Sequence, residues 1–174
     1  MAARKATAAD IIARVKPRTA TVTLYLDGEA SGRIAELEAR VAELADWQPE
    51  SLADPDPRRA LAQEIAELQD QMRDSATQFT FRALGRLAWS DLLALHPPRH
   101  AQELYNPETL PGALVSACLV EPAMTAEEYG QLAEVLNQGQ RDQLELEAWQ
   151  VNNEAVSVPF SLAASALRAS TGER

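Results

Sequence analysis

Cysteine occurs once in the 174 residues, at Cys118, and histidine twice, at His96 and His100. One thiol excludes an intramolecular disulfide, and its place in the apolar run "ALVSACLV" reads as a small buried hydrophobe in a reducing compartment. His96 and His100 have the i,i+4 spacing of a helical metal pair, but Pro97 and Pro98 interrupt any helix between them and no HExxH pattern is present. The 7 glycines form neither a P-loop nor a GxGxxG run, which removes the usual phosphate cradles. No apolar stretch approaches the roughly 20 residues of a membrane span, and the first residues carry no hydrophobic signal core. Basic residues are the minority, 16 against 26 acidic for a net charge of -10, and such a surface repels a polyanion instead of neutralising its phosphates. The composition therefore reads as cytosolic, with no nucleic acid, no membrane, no cofactor and no metal among its partners.

What is present is enough for a core: 46% of the residues are hydrophobic, and the length suits one domain with an extension. Charge is unevenly spread. Residues 1–18 hold Arg4, Lys5, Arg14, Lys16 and Arg18 against Asp10 alone, whereas residues 125–154 hold Glu127, Glu128, Glu134, Asp142, Glu145, Glu147 and Glu154 against Arg141 alone. Two readings stand: a disordered basic arm beside a solvated acidic helix face, or contact between the opposite fields, head to tail or with a partner.

The spacing of apolar residues organises the chain into elements. Thr7 caps a short helix that Pro17 ends, within a basic arm of residues 1–18. In "TATVTLYLDG", Val22, Leu24 and Leu26 alternate with Thr21, Thr23 and Tyr25, so a strand with one buried face ends at an Asp27-Gly28 turn. From Ser31, the expected N-cap, Ile34, Leu37, Val41 and Leu44 fall at helical spacing. Asp56-Pro57 opens a second helix through Leu61, Ile65, Leu68 and Met72. Phe79, Phe81 and Ala83 then alternate with Gln78, Thr80 and Arg82 in a second strand. The two apolar seams match in length, so residues 19–83 read as β-α-α-β, a projecting antiparallel coiled helical hairpin on a two-stranded antiparallel ribbon.

Residues 84–156 read as a compact helical unit. Its first helix offers Leu84, Ala88, Leu92 and Leu95, widened by Leu87 and Trp89, and stops at Pro97-Pro98. Asn106 caps the next, with Pro107 in its first turn and "ALVSACLV" as its buried body. Thr125 and Glu128 make a capping box before Tyr129, Leu132, Val135 and Leu136, and after a break at Gly139 the pattern resumes through Leu144, Ala148 and Val151. Residues 157–174, with Pro159 and Phe160, form a weakly patterned flexible tail that docks on a partner. The fold class is mainly α with a small β-ribbon.

No catalytic constellation emerges. Ser90, Asp91 and His96 sit on or just past one short helix, where they cannot converge as nucleophile, base and orienter, and no nucleophile elbow surrounds the serine. Cys118 has no basic neighbour in sequence to activate it. With aromatics at only 5%, Trp47, Trp89 and Trp149 stand out as core or interface anchors, and Trp47, at the hairpin tip, as a contact surface.

The segments "FTFRALGRLAWSDLLALHPP" and "YNPETLPGALVSACLVEPAMTAEEYGQLAEVLNQGQRDQLELEAWQVN" resemble the tail assembly chaperones of long-tailed bacteriophages, those of actinobacterial hosts above all. Residues 19 to 160 follow that family's order, and the arginine-rich composition, with lysine only at 5 and 16, fits a high-GC source. The sequence departs from the family pattern at Arg141 and Glu145, where aromatics are usual, and at Leu110, where phenylalanine is common. If those aromatics bind the partner, Trp149 takes over the contact.

The resemblance implies no reaction. It implies a protein made in the host cytoplasm during infection that binds and solubilises the tape measure protein, helps recruit tail tube protein subunits, and is absent from the mature virion. It further implies self-association and a longer form produced by frameshifting, of which a chain ending in "ASTGER" is the shorter. The competing class is a structural tail adaptor or completion protein retained in the particle. Candidate partner-binding residues are Trp47, Trp89, His96, Pro97, Leu144, Trp149 and Phe160.

Overall fold

A computed structural model describes residues 6–49, 51 and 54–155. Phe160 and the expected tail of residues 157–174 lie outside the described residues. The fold is mainly helical with a small antiparallel sheet. In chain order its elements are α1 (Ala8–Arg14), β1 (Thr19–Tyr25), α2 (Gly28–Glu43), α3 (Pro57–Asp74), β2 (Ala76–Arg82), α4 (Arg86–Leu95), α5 (Leu110–Cys118), β3 (Leu119–Glu121), α6 (Ala126–Val135) and α7 (Gln138–Asn153).

The alternation of β1 and β2 becomes a two-faced antiparallel pair. Val22 opposes Phe79 and Ala20 opposes Phe81 on the core side, while Thr21 and Thr80 face each other outside with hydroxyl oxygens 3.0 Å apart. The expected two-stranded ribbon is corrected to three strands in the order β1-β2-β3. Leu119 pairs with Phe81 and Glu121 with Thr80, across an irregularity between Thr80 and Phe81. The body of "ALVSACLV" is thus helical only to Cys118. Pro122 disfavours helix just before it, and β2 has a second edge whose backbone groups need partners. Leu26 falls beyond β1 and is 41% exposed.

Helix boundaries follow local capping chemistry. Thr7 and Asp10 close a capping box on α1, and Thr125 and Glu128 close one on α6. Asp56 caps α3 with Pro57 in its first turn. Asp27, expected in a turn, instead caps α2 by accepting from the Ala30 amide at 2.8 Å, so the helix begins before Ser31. Asn106 caps only a turn, its side chain accepting from Glu108 N, and α5 starts at Leu110. Asn137 and Gln140 form a third capping box, which places Gly139 inside the first turn of α7.

α2 packs on α3. Leu37 is fully buried and Leu61 is 8% exposed, and Arg33 bridges to Glu64 at 3.0 Å. The principal core lies elsewhere, where Leu24, Phe79 and Phe81 of the sheet meet Leu114, Val115 and Cys118 of α5 and Leu144, Ala148 and Val151 of α7. The α7 residues step by four and three, one face of a helix laid across the sheet. Fully burying each phenylalanine contributes about 2–3 kcal/mol. The face of α4 is narrower than expected: Leu84, Trp89 and Leu92 pack on the core and Leu93 is half-buried, while Leu87, Ala88 and Leu95 are exposed. Val135 of α6, also expected inside, is 80% exposed.

Asn152 ties three elements together. Its side-chain oxygen accepts from the Leu84 amide at 2.8 Å, and its nitrogen donates to the Ala148 carbonyl at 2.7 Å and to Cys118 Sγ at 3.0 Å. Burial raises the Cys118 thiol above its ordinary range, partly opposed by that Asn152 contact, so it remains a neutral core group.

Candidate functional site

The three chemically distinctive features of the C-terminal half converge on one surface. Trp149, on the side of α7 next to its core face, meets Trp89 of α4 with ring centroids 5.8 Å apart and Tyr105 at 5.4 Å, both tilted. Beside this cluster Tyr105, Leu110, Pro111, Leu114, Asp142, Glu145, Leu146 and Trp149 line a groove of about 230 Å³. Leu146 is 55% exposed there.

The connection between α4 and α5 holds Tyr105 in place. Pro97 and Pro98 end the helix, and His96 holds the corner, its Nδ1 lying 2.8 Å from Thr109 Oγ1 while its carbonyl accepts from Asn106 N at 2.9 Å. Arg99 forks between Glu103, at 2.7 Å, and Glu108, with His100 Nε2 also 3.3 Å from Glu103. Arg99 holds the Glu103 carboxyl below the usual carboxylate range. A loop with this many internal bonds presents Tyr105 as a fixed wall of the groove.

Its floor is apolar and its rim acidic. Among the described residues neither Asp142 nor Glu145 makes an ion pair; Asp142 accepts from Gln138 Nε2 at 2.6 Å. Glu145 is raised above the ordinary glutamate range, first by burial and then by Asp142, with Arg141 pulling the other way. Arg141 donates to Gln138 Oε1 at 2.7 Å instead of to either carboxylate. A half-buried carboxylate with an acidic neighbour is relieved by an incoming cation, so the groove suits an apolar segment flanked by basic residues.

The candidate residues separate into distinct environments. Trp89 and Trp149 meet in the cluster. His96 stands at the corner that fixes Thr109 and Asn106, and Pro97 is exposed beside it. Leu144 is fully buried in the core, so it cannot meet a partner; Leu146, two positions on, is the exposed one. Trp47 lies apart, half-buried under the Arg58 guanidinium at 5.7 Å, and Arg58 is itself forked onto Asp56. His96 makes no hydrogen bond to Ser90 or Asp91 among the described residues. Nor do any three His, Cys, Asp or Glu side chains there sit close enough to hold a metal ion. No described helix is long and apolar enough to cross a membrane.

Tyr105 and Pro111 were not among the candidates. The nearest signal for Tyr105 was its place in "YNPETLP", between a proline stop and a proline-opened helix. Compared with protein-family models, curated proteins and solved structures, the chain matches none.

Proposed function

We propose that the protein is a phage tail assembly chaperone, acting in the host cytoplasm. In this reading it binds and solubilises the tape measure protein, helps recruit tail tube subunits, and leaves before the virion matures. The reading rests on the family resemblance of the segments from Phe79 to Asn153. The supporting observation is the groove between α5 and α7, with Trp149 and Tyr105 as walls, Leu146 exposed on the lip, and Asp142 and Glu145 on the rim. An apolar channel with an acidic rim is the shape and charge that receives one face of an amphipathic helix. A tape measure protein is a long rod of such faces. Weak binding at each site and many copies along the rod keep it covered yet let tube subunits displace the chaperone.

On this reading the helical pair α2–α3 is the projecting coiled hairpin expected from its seams, with Trp47 near its tip stiffened by Arg58. No reaction is assigned. A longer frameshifted form would carry the same groove.

The test is co-expression with the neighbouring tape measure gene. Soluble tape measure should be recovered with the wild-type chain and lost with Leu146→Asp, whose exposed position leaves the fold intact. If that variant and Trp149→Ala both solubilise the rod as well as wild type does, the groove is not the contact. Mass spectrometry of purified virions should find the protein missing; its presence would make it a retained tail adaptor.

A further inference from the structure

α1 carries an apolar stripe that the other described residues leave in solvent. Ile11, Ile12 and Val15 are 55%, 73% and 71% exposed, and none of the helix is buried. With Ala8 these residues share one side at helical spacing. The helix is preformed nonetheless: Thr7 and Asp10 cap its start reciprocally, and Arg14 sits favourably in its last turn. A preformed ligand has little ordering entropy left to lose on docking.

The same chain carries a receptor of opposite charge. Arg14 and Lys16 accompany the stripe, and Asp142 and Glu145, which make no ion pair among the described residues, stand on the groove rim beside exposed Leu146. We infer that α1 of one copy inserts its Ile11, Ile12 and Val15 stripe into the groove between α5 and α7 of a second copy, joining copies head to tail. Arg14 and Lys16 then face Asp142 and Glu145 across the junction.

The attachment of α1 favours a second copy over the chain's own groove. Arg18 is fastened to the C-terminal end of α7 through the Gln150 carbonyl and Glu154, leaving only Lys16 and Pro17 as connector. Pro17 fixes one of the few free dihedrals of that connector. In this arrangement every residue of α1 is exposed.

The junction uses two different patches, so it does not close in a pair and extends into a chain or ring of copies. It stands apart from the tape measure reading, although a tape measure helix in the same groove would compete with α1.

Sedimentation velocity of the full chain over a concentration series tests it. Wild type should associate as concentration rises. Ile12→Asp, which spoils the plug, and Leu146→Asp, which spoils the socket, should each weaken association by roughly tenfold or more. The two variants mixed in equal amounts should form a dimer and stop there, because one contributes an intact socket and the other an intact plug. A wild type that stays monomeric at high micromolar concentration overturns the inference, and so does a mixture that forms no dimer. Ile12→Asp should still recover soluble tape measure on co-expression, which separates failure of this junction from failure of the proposed function.

Discussion

The Arg18 guanidinium donates to the Gln150 carbonyl at 2.9 Å and lies 2.8 Å from the Glu154 carboxylate, so the root of the N-terminal helix is fixed to the end of α7. One cation here meets both the C-terminal end of a helix, at a carbonyl that also accepts from the Glu154 amide, and an acidic side chain. The pair is half-exposed, which limits its contribution. Arg18→Ala should cost about 1 kcal/mol in urea denaturation. Arg18→Lys should recover only part of it, because one ammonium does not reproduce the fork. Equal stability of wild type and Arg18→Ala would show the contact to be energetically idle.

Tyr129 is 4% exposed and its hydroxyl has no hydrogen-bond partner among the described residues. Burial, assisted by Glu145 and opposed by Arg141, pushes it up to about 12. The folded state therefore holds the phenolic proton more tightly than the unfolded chain. This contribution is fully present below an ordinary tyrosine pKa of about 10 and is lost as pH rises toward about 12. Tyr129→Phe should be neutral to about 1 kcal/mol more stable near neutrality, since it removes an unsatisfied buried group. It should also flatten the alkaline fall in stability, leaving the part due to Cys118, which shifts in the same direction. A steep loss at neutral pH would mean that the hydroxyl is bonded after all.

The α2–α3 contact is uneven along its length. Leu37 is fully buried, whereas Leu68 borders an open cleft with Arg33 and Gln71. Leu37→Ala should cost about 2–5 kcal/mol and Leu68→Ala about 1 kcal/mol, read from thermal or urea melts. Equal losses at the two positions would show that the seam is packed uniformly.

Asn152 is the sole side-chain partner of the Leu84 amide among the described residues. Asn152→Leu should cost about 1–3 kcal/mol by leaving that donor unpaired. Hydrogen exchange at Leu84 should accelerate, and alkylation of Cys118 should quicken because the same side chain covers its sulfur. Unchanged Leu84 exchange would show that protection comes from elsewhere.

What the sequence made legible was mostly local. The Thr7, Asp56 and Thr125 caps depend on residues within a turn, and the β1 and β2 alternations each show their buried face directly. β3 was hidden because three residues in an apolar run have no period, and only the free edge of β2 makes them a strand. In α4 the polar Arg86, Ser90 and Asp91 mark the solvent side and set Trp89 and Leu92 inward, but Leu87 and Leu95 lie between and beside them on that side and go outward although they are apolar. In α7, Leu144 and Leu146 point about 200° apart, and only one can be in the core. Ala148 and Val151, four and seven residues after Leu144, settle which. Trp149 was visible as a rare aromatic, but its company of Tyr105 and Trp89 depends on a loop closing over α7.

Tyr25 and Ala76 are register partners at the end of the β1–β2 ladder. The chain from residue 26 to residue 75 therefore leaves the sheet and re-enters it at adjacent rungs, so that topologically everything between is one enlarged turn. Leu37, midway along α2, and Leu61, near the start of α3, are not part of the cluster formed by sheet, α5 and α7. The length of that excursion is then a free variable. Matched helical turns could be added to or removed from α2 and α3 while the contacts of the main core stayed as they are. Evolution or a designer can change the length of this pair without retuning the foundation.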